Sequence, residues 1–316
     1  MIRDLHRDRV RLAAAVRRGH AGRQLEKGGL ESMIILCADD YALTEGVSRA
    51  IGELAAAQRL SATSVLVTSR HWAAMAPRLS VHRGRLSVGL HLNMTLGAPL
   101  GPMPRLASTG SFPGQQGLVV RAMLGLLDGA EIRAEIERQL DAFERELRAP
   151  PDHVDGHQHV HVLPGVRSAL LDVLRRRYPM QPPLVRDPAD RPRSIRERKL
   201  AVRKALTVCG LALGFNAAAQ RAKVPVNDTF SGYSTFDAAI PYADELQQSF
   251  GLPGRRHIVM CHPGHPDAEL AALDPVVQRR RAEYETLMRH PDLPQRIWRP
   301  SRRPDGPPIA WLDLQG

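Results

Sequence analysis

From Met33 onward, short apolar runs alternate with longer segments whose apolar residues recur at helical spacing. The apolar runs are bounded by glycine, proline or polar residues, which is typical of buried strands. They predict strands at 34–38, 62–67, 86–92, 153–161, 184–186 and 257–261. The segments between them predict helices at 44–58, with Thr44 as the N-terminal cap, and at 71–79, 130–148, 165–177, 194–223 and 275–289.

Repeated strand–helix units indicate a parallel sheet with helices outside it. There are about six or seven such units, and no segment among them has the different composition expected of a second domain. This favours an α/β fold with a single β/α barrel. The expected barrel is TIM-like, a description that includes irregular and seven-stranded versions. The stretch 187–235 is too long for a simple connection and predicts a helical insertion, and the Gly/Pro-rich loop 97–117 is long enough to suggest a function.

Residues 1–32 differ from the rest of the chain. They are rich in arginine, alanine and glycine and end near a flexible Gly28-Gly29 break. We interpret 1–32 as a basic, flexible and non-catalytic N-terminal extension, and 33–316 as the barrel domain.

Composition narrows the class of protein. Hydrophobic residues make up 43% of the chain and charged residues 24%, which suits a globular protein. No apolar stretch approaches the roughly 20 residues that cross a bilayer, and the N-terminus lacks the apolar core of a signal peptide. The three cysteines form no CxxC pair and cannot close a disulfide framework. The sequence therefore predicts a cytoplasmic protein without a transmembrane segment.

The net charge of +11 raises the question of an anionic partner, such as nucleic acid or a membrane surface. The basic residues are mostly arginines scattered through helical segments, and no helix-turn-helix, zinc-finger or RNP-like pattern accompanies them. We therefore expect no nucleic-acid partner. The sequence leaves the oligomeric state open and is compatible with a homodimer.

Polar residues stand where the predicted strands end. In a β/α barrel these ends meet at one face, where the functional residues of such folds lie. Asp39 and Asp40 follow the first strand, His91 ends the third, His157 belongs to a His-x-His-x-His run, and His262 follows the last strand. Four separate strand ends carrying such groups predict one shared site.

The run His157, His159 and His161 has a defined geometry if the strand persists, because alternate side chains then point the same way about 6.6 Å apart. One metal ion cannot take all three unless the chain curls. We therefore expect one or two of them to bind a metal and the others to contact substrate or the metal ligands. Carboxylate and imidazole ligands suit Zn²⁺ best, with Mn²⁺ or Mg²⁺ as alternatives when water fills the remaining positions.

Each motif alone has a simpler interpretation. An Asp-Asp pair is usually a solvated turn or a helix cap, a single histidine is usually a packed core residue, and a histidine-rich run can bind metal adventitiously. The occurrence of all these motifs together, at the ends of successive predicted strands, favours a functional site. A metal-dependent phosphoesterase on a similar barrel is an alternative, although such enzymes usually need more ligands from later strands. A basic scaffold that binds anions through 1–32 and 191–204 is another.

The chain resembles the YdjC-like (ChbG/HpnK-type) carbohydrate deacetylase family over about residues 33–290. The resemblance rests on an Ala-Asp-Asp-Tyr strand end at 38–41, the segment 89–95, the sequence HVDGHQHVH at 153–161, and Cys-His-Pro-Gly at 261–264. The first motif usually reads Ala-Asp-Asp-Phe-Gly in the family, whereas this chain has Tyr41-Ala42. The 187–235 insertion resembles that of the longer family members more than the short chitobiose-type ones.

The resemblance implies a metal-dependent hydrolase that removes N-acetyl groups from amino sugars or chito-oligosaccharides. It assigns one divalent metal ion, Mg²⁺ or Zn²⁺, to Asp40, His91 and His157. It makes Asp39 the catalytic base and His262 the acid that protonates the leaving amine. An N-acetylated sugar would be the substrate. The residues expected to bind substrate or to support the ligands are Asn93, His159, His161 and Arg186.

Overall fold

A computed structural model describes residues 33–237, 239–273 and 277–300 of the chain. Seven parallel strands form one sheet in the order β5-β4-β3-β2-β1-β7-β6. The strands are β1 Met33–Tyr41, β2 Ala62–Val65, β3 Ser87–Leu92, β4 His153–Gly156, β5 Leu184–Val185, β6 Thr229–Ser231 and β7 Arg256–Cys261.

Twelve helices are found in the described part of the chain, and those between strands cover the sheet. They are α1 Glu45–Ala56, α2 Trp72–Ser80, α3 Gly114–Met123, α4 Gly129–Leu147, α5 Val166–Arg177, α6 Pro192–Arg198, α7 Val202–Leu211, α8 Phe215–Ala222, α9 Tyr242–Ser249, α10 Ala268–Leu273, α11 Val277–Arg289 and α12 Leu293–Arg296. None of the helices described is long and apolar enough to span a membrane.

The central strand β1 pairs with β2 on one side and β7 on the other. Three residues of β1 are fully buried, namely Ile35, Leu36 and Ala38. They are buried because helices cover one face of the sheet and packed side chains cover the other. The chain leaves β1 into α1, where the Thr44 side chain accepts a hydrogen bond from the Val47 amide at 3.3 Å. This N-cap confirms the helix start predicted from the sequence.

The sheet curls until its two edges nearly meet. Val185 of β5 donates its N–H to the Pro225 carbonyl at 2.8 Å, and Val185 forms an isolated bridge with Val226, just before β6. The expected α/β fold is confirmed, with a parallel sheet of seven strands and helices outside it, but the sheet is not a closed TIM barrel: it is curled and open. With two residues in β5 and three in β6, the edge strands are too short to form the continuous ladder that closure requires.

Other elements also differ from the prediction. The strand predicted at 153–161 ends at Gly156 and is followed by the 3₁₀ turn His157–Val162. The single helix predicted at 194–223 is interrupted by left-handed residues, among them Lys199 and Ala201, and becomes α6, α7 and α8. The insertion 187–235 is therefore helical only up to Ala222, since it also contributes the strand β6, which the sequence analysis missed. The segment 1–32 lies outside the described residues.

Candidate active site

The carboxyl ends of the parallel strands open into a cavity of about 740 Å³. Its floor contains polar residues from the last positions of β1 and β3 and from the positions that follow β4 and β7, as the sequence predicts for strand ends. Residues from α3, α7, α10 and α11 form its walls. Five of the site residues predicted from the sequence line this floor: Asp39, Asp40, His91, His157 and His262.

Adjacent aspartates would point to opposite faces of a regular strand. Here the register between β1 and β2 shifts between Ala38 and Tyr41, and Asp40 has a left-handed φ of 70°. This irregularity brings the side chains of both Asp39 and Asp40 to the same cavity, where both are almost fully buried. Left-handed backbone is costly for a residue with a side chain, and such strain is concentrated at functional sites.

Asp40, His91 and His157 form a compact group in which the potential ligand atoms all lie within 4.8 Å of one another. Asp40 Oδ1 is 3.0 Å from His157 Nδ1 and 3.3 Å from His91 Nε2. Ligands bound to zinc at about 2.1 Å in a tetrahedron stand about 3.4 Å apart. Both distances from Asp40 are thus close to the spacing of ligands on one divalent metal ion, and three protein ligands would leave further coordination positions open.

His91 is oriented for this role by its other ring nitrogen. Its Nδ1 is 2.6 Å from Asp155 Oδ1 and 3.0 Å from the Ser64 hydroxyl, so that Nε2 faces Asp40. Burial lowers the pKa of His91, but Asp155 and Asp40 outweigh it and raise this pKa to about 10. A carboxylate behind a ligating histidine fixes its orientation and makes it a better ligand.

Arg186 links the carboxylates below the cavity. It is fully buried, contacts Asp39 with Nη1–Oδ2 and Nη2–Oδ1 distances of 2.6 Å, and reaches Asp155 Oδ2 at 2.5 Å. Burial lowers the pKa of Arg186, yet Asp155 and Asp39 raise it well above its usual value. The guanidinium therefore stays charged, holds Asp39 in place, and balances the two buried carboxylates.

A second arginine fixes the other aspartate. Arg280 of α11 donates to Asp40 Oδ2 at 2.7 Å, which leaves Oδ1 facing the two histidines. Burial raises the pKa of Asp40, but Arg280 and His157 lower it well below its usual value. Asp40 is therefore ionised, and its Oδ1 atom is the one available to a metal ion.

The three histidines of the His-x-His-x-His run separate because the chain curls after β4. Gln158 and His159 have left-handed φ values of 54° and 59°. His157 faces Asp40, whereas the His159 ring lies 5.9 Å from the rings of Phe230 and Tyr233 and lines the cavity. His161 Nε2 is 2.7 Å from the Arg186 carbonyl. The strand does not persist beyond Gly156, so the condition under which the three side chains would point the same way is not met.

Asn93 lies next to the cavity but is occupied by its own loop. Its amide donates to Thr68 Oγ1 at 2.8 Å and to the Leu96 carbonyl at 2.7 Å, and its Oδ1 accepts from the amides of Thr95 and Leu96. Thr95 and Leu96 line the cavity. Asn93 therefore shapes the loop that follows β3, and its expected contact with substrate stays a prediction.

His262 lines the cavity on the β7 side of β1, whereas His91 and His157 stand on the β3 and β4 side. Burial lowers the pKa of His262 to about 4, with Asp40 opposing and Arg280 adding to the effect. Its backbone N–H donates to Glu283 Oε2 at 2.5 Å. The imidazole is thus neutral at pH 7 in the absence of substrate.

Arg280 and Glu283 are the functional candidates that the sequence analysis missed. Both lie on α11 and line the cavity. Together with Leu287 they recur at helical spacing on the buried side of the helix. Charged residues in the position of an apolar stripe are a signal that could have identified them, because buried charges are rare unless they are paired.

Replacing Glu283 by glutamine should stabilise the protein at neutral and higher pH. Burial raises the pKa of Glu283 from 4.5 to about 7, so the folded chain holds this proton more tightly than the unfolded chain. Stability is therefore lost as the pH rises through this interval. Glu283→Gln should increase the free energy of unfolding by about 3 kcal/mol above pH 7 and have no effect below pH 4.5.

Urea unfolding of the parent and the variant across this pH range measures the difference. Glu285→Gln is the matched control, because Glu285 lies on the same helix but is only partly buried, and Arg281 lowers its pKa. If the free energy of unfolding of Glu283→Gln equalled that of the parent at every pH, the raised pKa of Glu283 would be contradicted.

Comparisons with known proteins find relatives of this chain. Residues 33–297 match the family model described as YdjC-like protein. A human carbohydrate deacetylase is 34% identical over 147 residues, which are 45% of this chain and 45% of that protein. A chitooligosaccharide deacetylase of Yersinia pestis (strain Pestoides F) is 35% identical over 140 residues, 43% of this chain and 53% of that protein. The matched segment spans about half the length of these curated relatives.

Among solved structures, a protein of Enterococcus faecalis V583 whose name refers to cellobiose-phosphate cleavage superposes with a TM-score of 0.61. It is 22% identical, and the match covers 82% of this chain and 92% of that one. At this identity the likeness concerns the fold: a curled parallel sheet covered by helices.

Proposed function

The chain belongs to the YdjC-like protein family, and on that premise we propose that it is a metal-dependent deacetylase of N-acetylated sugars. The observation that carries the proposal is the group of Asp40, His91 and His157 on the cavity floor beside Asp39. The two relatives named above are a carbohydrate deacetylase and a chitooligosaccharide deacetylase, which gives the class of substrate.

The donor set fits one divalent metal ion, Zn²⁺ or Mg²⁺. One carboxylate and two imidazoles are a ligand set typical of catalytic zinc, and three protein ligands leave coordination positions open. When bound, the ion supplies Lewis acidity, which acidifies water and polarises the acetamide carbonyl. Arg280 would limit Asp40 to one ligand oxygen, and Asp155 holds His91 so that Nε2 faces Asp40 and would be available to the ion.

The chain's own residues then move the protons. Asp39 is the base: it accepts a proton from the attacking water as the new C–O bond forms, while Arg186 holds its carboxylate. His262 is the acid: it gives a proton to the amide nitrogen as the C–N bond breaks, because an amine anion is not a viable leaving group. The products are acetate and an amino sugar. Asp39 and His262 then exchange protons with solvent.

The position of His262 suits the acid role. It stands across β1 from the histidines of the metal group, so that the acetamide can lie between the two sides. Because burial keeps the free imidazole neutral at pH 7, it must first take up a proton from solvent, which it then donates to the leaving nitrogen. Asp40 and Asp39 favour the protonated ring, and Arg280 disfavours it.

The decisive experiment measures acetate release from N-acetylglucosamine and its oligomers. The protein is stripped with a chelator and reloaded with Zn²⁺ or Mg²⁺. We expect activity to fall by on the order of 10²-fold or more without metal and to return with about one ion per chain. Phosphate release from a phosphate ester, with two or more ions per chain and no acetate release, would instead support a phosphoesterase.

A further inference from the structure

The outer zone of the cavity, above the reactive residues, is more exposed to solvent than the floor. The floor carboxylates Asp39 and Asp40 are almost fully buried, whereas the outer lining residues are exposed or partly exposed. This zone comes from the 3₁₀ turn, from α7 and from the segment after β6, and it consists of Gln158, Lys204, Thr207, Leu211 and Phe236. A ligand whose reacting group lies on the floor must extend past these residues.

Lys204 and Phe236 form a pair in this outer zone. The Lys204 Nζ atom lies 4.2 Å from the centre of the Phe236 ring, a cation–π contact. Phe236 has a left-handed φ of 60°, which is uncommon for a bulky residue. Its amide donates to Ser234 Oγ at 2.9 Å. The loop therefore holds the aromatic ring against the cavity at a conformational cost.

The two arginines of this wall are paired. Arg279 pairs with Glu245 and Arg280 with Asp40, while Lys204 is close enough to Glu283 and Glu245 to be influenced electrostatically by both. The wall therefore lacks the cluster of unpaired cations that would select an anionic ligand. It offers an aromatic ring, an aliphatic side chain and several hydrogen-bonding groups, which is the mixture that binds neutral, polyhydroxylated rings.

We propose that Lys204 and Phe236 form a subsite for a second sugar unit, attached to the one that carries the acetyl group. This inference rests on the proposed deacetylase function. The Phe236 ring packs against the C–H face of the second pyranose, and the Lys204 ammonium donates hydrogen bonds to its hydroxyl oxygens. A cavity of about 740 Å³ is in the range that accommodates ligands larger than one sugar ring. Lys204 and Phe236 are thus specificity-determining residues.

The test compares N-acetylglucosamine with its β-1,4-linked dimer as substrates. Phe236→Ala and Lys204→Met should each raise KM for the dimer about tenfold more than for the monomer, with similar kcat values, since an aromatic contact contributes roughly that factor. Lys223→Met is the matched control: Lys223 belongs to the same insertion and is exposed, but it is not among the lining residues. It should leave both KM values unchanged.

A calorimetric titration of the metal-stripped protein and variants with the uncharged acetylated dimer decides the subsite without any turnover. The parent should bind it, and Phe236→Ala should bind about tenfold more weakly. Equal effects of the variants on monomer and dimer, or a parent that does not bind the dimer, would overturn the subsite. A parent that binds the dimer but releases no acetate from either substrate would leave the subsite standing and refute the deacetylase function.

Discussion

His157→Ala is expected to remove metal binding and acetate release together while the protein stays folded. The His157 side chain is only partly buried, and its described hydrogen bond is to Asp40, so its loss leaves no cavity in the apolar core. One of three ligands would be missing, and the remaining carboxylate and imidazole hold an ion far less well. We expect a loss of activity on the order of 10³-fold at low micromolar metal.

His159→Ala is the matched control for this variant. His159 stands two residues further along the same turn, but its ring packs against Phe230 and Tyr233. This variant should keep one metal ion per chain by elemental analysis. Full metal occupancy in His157→Ala would transfer the ligand role to His159 or His161.

The sequence was sufficient to locate the strand ends that carry the site. β1, β3 and β7 are apolar runs followed by polar residues, and the structure places these ends around one cavity. The hydrophobic pattern locates these strands well because a parallel strand that is buried on both faces has no polar face and reads as a continuous apolar run. Thr44 was recognisable for a similarly local reason: its side chain caps the helix that begins one residue later.

The remaining features depend on backbone conformations and long-range contacts that leave little trace in the sequence. Two consecutive left-handed residues, Gln158 and His159, end β4 early, although the His-x-His-x-His run has strand-like alternation. The left-handed Asp40 brings two adjacent carboxylates to one cavity. Arg280 reaches Asp40 across 240 positions in the chain. Neither hydrophobic pattern nor residue spacing determines these features, because tertiary packing overrides local preference.

Closure of the sheet could not be predicted for a different reason. β5 and β6 contain only two and three residues, and β6 is preceded by a long helical insertion. The sequence predicted β5 at 184–186 but missed β6, because so short a run is not distinguishable from a loop. A count of strand–helix units therefore suggested a barrel, whereas the length of the edge strands determines that the sheet remains open.

Asp39→Asn should retain metal and lose between about 10² and 10⁴ in kcat, because an amide cannot accept the proton of the attacking water. The asparagine keeps one oxygen that can accept from Arg186, and Arg186 keeps its contact with Asp155. The variant should therefore fold. Elemental analysis should find one ion per chain, as in the parent, and KM for the acetylated sugar should change little.

Asp155→Asn is the control that distinguishes the loss of a catalytic base from the loss of a negative charge beside Arg186. It also removes one of the two carboxylates that contact Arg186, but Asp155 does not line the cavity and supports His91 instead. Its expected effect is the opposite one: metal affinity falls about 10–100-fold, as it does when the partner of a ligating histidine is lost. With metal in excess, kcat should return to within about tenfold of the parent. If the two variants lost kcat equally at saturating metal, the charge around Arg186 would explain both losses, and Asp39 would not be the base.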